Sequence, residues 1–172
     1  YVLFSIGQNL LSSSKIFSVS ISFAATQVDV GQQAPDITLP DQYDQMQSLS
    51  ALRGNIVLVY FWSSWDPNSR INTPNLHIMH DKYSQARFNN AASFKVFTVS
   101  TDSEKSKWIE AIVHDKLPGL HHVNDFYSRS AAAYNIFALP SSFLIDENGL
   151  VIAKNPSMAE LDQALASRAL SY

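Results

Sequence analysis

The sequence predicts an α/β domain: a mixed central sheet with helices on both faces, closed by a C-terminal β-hairpin and helix. Three observations predict it. Ile56–Trp62 is an unbroken run of β-branched and aromatic residues, long enough for one buried strand, and Asp66-Pro67 opens a helix just behind it. A second run, Phe94–Ser100, is again followed by a helical pattern, here Trp108, Ile109, Ile112 and Val113. Asn148-Gly149 then separates two apolar runs, the strongest short signal for a hairpin. Strand–helix–strand with parallel strands takes a right-handed crossover.

Composition bounds the rest. A chain of 172 residues suits one domain with an extension. Hydrophobic residues at 46% and charged residues at 16% suit a packed core rather than disorder. A net charge of −3 without runs of like charge offers no nucleic-acid surface. No apolar run reaches the ~18 residues that a membrane span needs. The cysteine count is zero, which excludes disulfides, thiolate metal sites and any thiol chemistry carried by this chain alone. It leaves the compartment open, because a chain without thiols is indifferent to redox poise.

The elements follow in order. Residues 1–28 form an extension whose only charge is Lys15. Ile16–Ala25 with a small-x-small step at Ser22-Phe23-Ala24 reads as a signal peptide. The alternation of Phe17, Val19, Ile21 and Phe23 with serines reads equally as a strand or the tail of a preceding domain. The first residue is Tyr1 and not Met, as in a fragment or a processed chain. The domain proper is expected over 29–172. Val30–Asp41 should form an extended arm or hairpin, and Leu49–Gly54 a helical turn stopped by glycine. Asp66 is a preferred N-cap and Pro67 fits the first helical position, so a helix runs from Pro67 to about Gln85. Ile71, Leu76, Ile78, Met79 and Tyr83 supply its apolar side, and Pro74 should kink it. Thr101-x-x-Glu104 resembles a capping box for the next helix. Pro118-Gly119 breaks the chain, His121–Asp125 reads as loop, and Ser128–Tyr134 as a short helix. Phe143–Asp146 and Leu150–Lys154 flank the Asn-Gly turn. Ser157-x-x-Glu160 caps a last helix with Leu161, Ala164 and Leu165 inward.

Phe61-Trp62-Ser63-Ser64-Trp65, four residues, Arg70, and then Pro74-Asn75-Leu76 carry a resemblance. The pattern resembles the thioredoxin-like thiol–disulfide oxidoreductases of the bacterial envelope, of the TlpA/ResA type, within the alkyl hydroperoxide reductase/thiol-specific antioxidant superfamily. A second landmark is Ala138-Leu139-Pro140-Ser141-Ser142-Phe143-Leu144-Ile145-Asp146 with the Gly149 hairpin. The resemblance spans about Asp29–Ala169 and implies a thioredoxin fold. It also implies that Pro140 is cis and faces the active-site turn, and that the protein lies in the bacterial periplasm or cell envelope. In the family the residues after the second Trp are Cys-x-x-Cys; here they are Asp66-Pro67-Asn68-Ser69. An acidic residue that often follows the Arg by two places is here Asn72.

That replacement removes the chemistry. A family thiol, ordinarily titrating at about 8.5, is lowered by the helix start, attacks a disulfide as thiolate, and is resolved by a second thiol one turn on. Asp66 keeps a charge at that place but is a poor nucleophile toward sulfur, and Ser69 has no neighbouring base in sequence. Asp66 is either a helix cap alone or, with Ser69, a mimic of the reduced site that holds a ligand without a covalent bond. Trp65 either borders the partner groove or packs on the sheet edge; Trp62 belongs to the core. Leu139, Pro140 and Ser141 offer backbone groups to an extended peptide, as implied by the resemblance, the one family function that needs no sulfur. His77 and His80, three apart with Asp81 next, could place two ligands on one helix face. They read here as a solvated face, as does His121-His122 in its loop. No catalytic residue, metal or other cofactor is therefore expected. The expected function is protein or peptide binding at Trp65, Asp66, Ser69, Leu139, Pro140 and Ser141. The alternatives are a redox role with a thiol lent by a partner or an upstream domain, and a structural role as the last domain of a longer protein.

Overall fold

The computed structural model describes residues 28–117 and 119–170. The expectations for the first 27 residues, signal segment or strand, lie outside the described residues. The elements run β1 (Thr38–Pro40), β2 (Met46–Ser48), a 3-10 turn (Ser50–Leu52), β3 (Ile56–Trp62), α1 (Pro67–Tyr83), β4 (Phe94–Ser100) and α2 (Lys105–His114). Then come β5 (His121–Asn124), α3 (Arg129–Ala133), β6 (Ser141–Ile145), β7 (Val151–Lys154) and α4 (Met158–Ala166). The five-stranded sheet has the order β5-β4-β3-β6-β7. β3 and β4 are parallel with Ile56 beside Phe94, and β4 and β5 are parallel with Phe97 beside His121. β3 and β6 are antiparallel, with Phe61 beside Ser141, and β6 turns back into β7. This is the thioredoxin fold expected from the sequence, with a small β1–β2 hairpin ahead of it.

β3 reads as one apolar run because every one of its residues is buried. Strand period sends its side chains alternately to two cores. Leu58, Tyr60 and Trp62 meet Leu76, Met79 and Tyr83 of α1, Trp108 and Ile112 of α2, and Leu161 and Leu165 of α4. Val57, Val59 and Phe61 meet Val28, Ile37 and Leu49 of the N-terminal arm, and Ala131 and Tyr134 at α3. Tyr134 locks the second core: its ring lies 5.1 Å from Phe61 and 5.0 Å from Phe143, and its hydroxyl donates to the Pro35 carbonyl at 2.6 Å. Burial and the Asp36 charge push its phenol up. The hairpin needs Gly149, whose φ is +83 and over which the Arg53 guanidinium packs.

Four expectations are corrected. Residues 121–124 are an edge strand, not loop. Their side chains show no strand period because the strand is specified by main-chain pairing to β4, and because His122 is satisfied on both nitrogens. Its Nδ1 accepts from the Thr98 hydroxyl at 2.7 Å and its Nε2–H donates to the Leu117 carbonyl at 2.8 Å. Thr101 does not cap α2. Its hydroxyl bonds the Ser63 hydroxyl at 2.6 Å, and α2 starts one residue past Glu104 without a side-chain cap. On α1 the buried stripe is Ser69, Thr73, Leu76, Met79 and Tyr83, while Ile71 and Ile78 face outward. Two or five residues of helix turn a side chain ~140–200° away from Leu76, so those positions cannot share its face. Val113 is likewise exposed beside the inward Trp108, Ala111 and Ile112. Helix α1 runs continuously through Pro74.

Candidate functional site

The C-terminal ends of the parallel strands β3 and β4 lie side by side, and the chain leaves both at one pole of the sheet. Open α/β sheets place their sites at such ends. From β3 the chain turns through Ser63, Ser64 and Trp65 to Asp66, the N-cap of α1. The Asp66 carboxylate accepts the Ser69 N–H at 2.7 Å and the Ser69 hydroxyl at 2.6 Å. Ser69 is fully buried, and its carbonyl takes the Thr73 hydroxyl at 2.5 Å. So Asp66 and Ser69 bond to each other, oxygen to oxygen, across one helical turn. Ser69 faces inward, and Trp65 and Asp66 form the accessible part of the turn; Trp65 is 68% exposed.

The turn is tied down from two sides. Asp102, 2% exposed at the end of β4, accepts the Ser64 N–H at 3.0 Å, the Ser64 hydroxyl at 2.7 Å and the Ser100 hydroxyl at 2.6 Å. The Asn124 amide of β5 extends this network to Ser100 at 3.1 Å. On the other side Arg70 donates to the Ser64 carbonyl at 3.2 Å and grips both oxygens of Asp115, at 2.5 and 2.6 Å. That bidentate pair joins α1 to the end of α2. The Arg70 guanidinium, with His114 assisting, holds the Asp115 carboxyl below its usual range against the opposing effect of burial. Sequence reasoning found Arg70 through the family pattern and missed Asp102 and Asp115. The signal for Asp102 was available: a carboxylate two residues past a buried strand that neighbours the site strand.

Opposite the turn, the Leu139–Pro140 peptide is cis and leads into β6. Register places Ser141 beside Phe61, so Pro140 stands at the level of Trp62, next to the turn. The Ser141 hydroxyl donates to the Ala138 carbonyl at 2.7 Å and is used internally. The Leu139 main-chain groups bond to none of the described residues. Between turn and bend lies a cleft of about 540 Å³, lined by Trp65, Asp66, Ile136, Phe137 and Leu139. Phe137 is 91% exposed and was not foreseen. A second cleft of about 530 Å³ lies behind Trp65, against Arg70, Lys107 and Glu110. Trp65 thus forms a ridge between two grooves. Trp62 is fully buried, as expected.

The helical histidines depart from the solvated face read from the sequence. The side chains of His77 and His80 are only 28% and 15% exposed, and Asp81 converges on both.

A thioredoxin-fold domain with a bonded acid and alcohol at the start of its first long helix is the class that this geometry defines. The alkyl hydroperoxide reductase/thiol-specific antioxidant (AhpC/TSA) family matches residues 30–154, and the chain belongs to that family. The thioredoxin-like protein YneN of Bacillus subtilis is 28% identical over 125 residues, covering 72% of this chain and 69% of that protein. The thiol-disulfide oxidoreductase ResA of Geobacillus kaustophilus is 29% identical over 126 residues, covering 73% and 68%. Among solved structures, a putative thiol:disulfide interchange protein DsbE from Chlorobium tepidum superposes with a TM-score of 0.72 at 26% identity, covering 82% of this chain and 98% of that one. The thioredoxin domain of a thiol-disulfide oxidoreductase from Bacteroides vulgatus does so with a TM-score of 0.73 at 26% identity, again covering 82% and 98%.

Proposed function

We propose that this domain binds an extended protein segment in the cleft between Trp65 and Leu139 and does not exchange disulfides. The observation that carries the reading is the closed pair at the redox positions. Asp66 accepts both the N–H and the hydroxyl of Ser69, so an oxygen–oxygen hydrogen bond stands where the family makes and breaks sulfur–sulfur bonds. Neither group can form the mixed disulfide that the family reaction requires.

What remains is the part of the site that needs no thiol. An extended segment entering the cleft meets the N–H and C=O of Leu139, which bond to none of the described residues, and gains main-chain bonds in the manner of an added strand. Trp65 and Phe137 offer exposed aromatic surface to its side chains. Asp66 places a carboxylate in the cleft and favours a segment with a basic residue at that point. Ser69 holds Asp66 in place and does not touch the ligand. The resemblance to envelope oxidoreductases supports a place in the bacterial envelope, where such segments are presented by folding or secreted proteins.

The test is a pull-down from bacterial envelope extracts with the native protein and with Trp65→Ala, followed by hydrogen exchange at Leu139 with the captured segment. The reading expects capture by the native protein, at least tenfold less by Trp65→Ala, and slowed exchange of the Leu139 amide. Capture that is equal in both proteins with Leu139 unprotected contradicts it. A redox role with a borrowed thiol would instead appear as turnover of a dithiol substrate in the extract that this chain accelerates.

A further inference from the structure

The C-terminal end of α1 gathers a second group of chemistry-bearing side chains. His77 Nε2 lies 3.3 Å from one carboxylate oxygen of Asp81, and His80 Nδ1 lies 3.5 Å from the other. One ligand atom from each of the three residues fits within a span of 4.8 Å. The residues stand at i, i+3 and i+4, the spacing that brings helical side chains together. Asp66 is fourteen residues upstream of His80, about 20 Å along the helix. This group is therefore separate from the cleft.

The two contacts are not hydrogen bonds. They exceed the ~2.7–2.9 Å of a charge-assisted N–H···O bond, and His80 Nδ1 is fully buried with no hydrogen-bond partner among the described residues. A buried ring nitrogen in that state is an anomaly that calls for a partner. The separations match another arrangement. Ligand atoms held ~2.0–2.1 Å from one tetrahedral ion stand about 3.3–3.4 Å from one another. We propose that His77, His80 and Asp81 bind a single borderline divalent cation of the zinc type, through two imidazole nitrogens and the Asp81 carboxylate, whose two oxygens each face one of the rings.

The donor set selects the ion. Two imidazoles and a carboxylate suit Zn²⁺ and its transition-metal neighbours, whereas Mg²⁺ and Ca²⁺ prefer oxygen ligands. The position helps as well. His80 and Asp81 lie in the last turn of α1, at the negative end of the helix dipole, where a cation is favoured. Lys82, in the same turn, is drawn off by Asp162 at 2.5 Å. One wall of the site is backbone: a Cβ on Gly119 would come within 3.5 Å of the His80 ring. The other side is open, because the Asp81 side chain is 62% exposed. Three protein ligands leave the fourth position to water or to a group from a partner.

The test uses untagged protein, stripped with a chelator and dialysed against Zn²⁺ at about pH 7.5, above the ordinary histidine range. The expected result is one equivalent of Zn²⁺ per chain and no uptake of Mg²⁺ from a parallel dialysis. Asp81→Asn, at an exposed position that leaves the fold intact, should weaken Zn²⁺ binding at least tenfold, and His77→Ala likewise. Native protein that retains no Zn²⁺ above the buffer overturns the proposal. So does Zn²⁺ bound as tightly by both variants, or Mg²⁺ taken up equally well.

Discussion

Helices α1 and α4 both begin with a side-chain oxygen on the backbone of their first turn, and the α1 start borders the Trp65 cleft. At α4 the device is local. Ser157 accepts the Glu160 N–H at 3.3 Å, and the Glu160 carboxylate accepts the Ser157 N–H at 2.8 Å, both on exposed residues. At α1 the cap is part of a network. Asp66 holds a buried Ser69, while the turn before it is gripped by Asp102 from β4 and, through Arg70, by Asp115 from α2. A cap becomes a site when tertiary contacts fix the loop that leads into it and leave its outer atoms free. The first kind is legible as four residues of sequence; the second is assembled from three elements.

That comparison can be broken by mutation. The largest effect is expected from Asp102→Ala. It strands a Ser64 N–H and two hydroxyls in a buried place and should cost about 3 kcal/mol in urea unfolding. If it costs no more than a surface change, the turn is not held by this network. Asp66→Ala should cost about 2 kcal/mol, because it removes an N-cap and also leaves the buried Ser69 hydroxyl without its acceptor. Ser157→Ala, a local cap, should cost about 1 kcal/mol and leave binding at the Trp65 cleft unchanged. Equal losses at the two caps would erase the distinction drawn between them.

pH gives a subtler probe, at β5, the strand that carries Asn124. Burial, the dominant cause, and the nearby His121 push the His122 imidazole down, outweighing its bond to Leu117. In the unfolded chain a histidine takes its proton near pH 6.5, whereas the buried ring resists. The unfolded state then binds more protons, so stability falls as pH drops below about 6.5 and is level above it. The melting temperature should follow that course between pH 7.5 and about 5. A curve that rises on acidification would mean His122 is charged in the fold. The smallest effect is expected from Ile71→Ser: its side chain faces solvent, so unfolding should shift by no more than about 0.5 kcal/mol.

Much of the fold was legible in the sequence, for physical reasons. β3 is buried on both faces, so its seven residues had to be apolar in succession. The α4 capping box and the Asn-Gly hairpin depend on neighbours in the chain, and both stand as read. β5 was missed because an edge strand pairs through its backbone, which leaves no period in His-His-Val-Asn. Ile71, Ile78 and Val113 misled because apolar content alone does not say which face a helix turns inward. At the site, Asp66 was legible as a cap. Asp102, Asp115 and Phe137 were not, because they reach the turn from other elements. The convergence of Asp81 on two half-buried histidines was invisible for a related reason: spacing gives a shared face but not the burial.

The proposed function holds that a thioredoxin-like scaffold here lacks only exchangeable sulfur. Insulin reduction by dithiothreitol, followed by turbidity, tests it with the native chain beside Asp66→Cys/Ser69→Cys. The account predicts that the native chain leaves the onset of turbidity where dithiothreitol alone puts it, and that the folded double variant brings it forward. Acceleration by the native, cysteine-free chain would contradict the account outright, and a correctly folded double variant without activity would show that more than two atoms separate this site from its relatives.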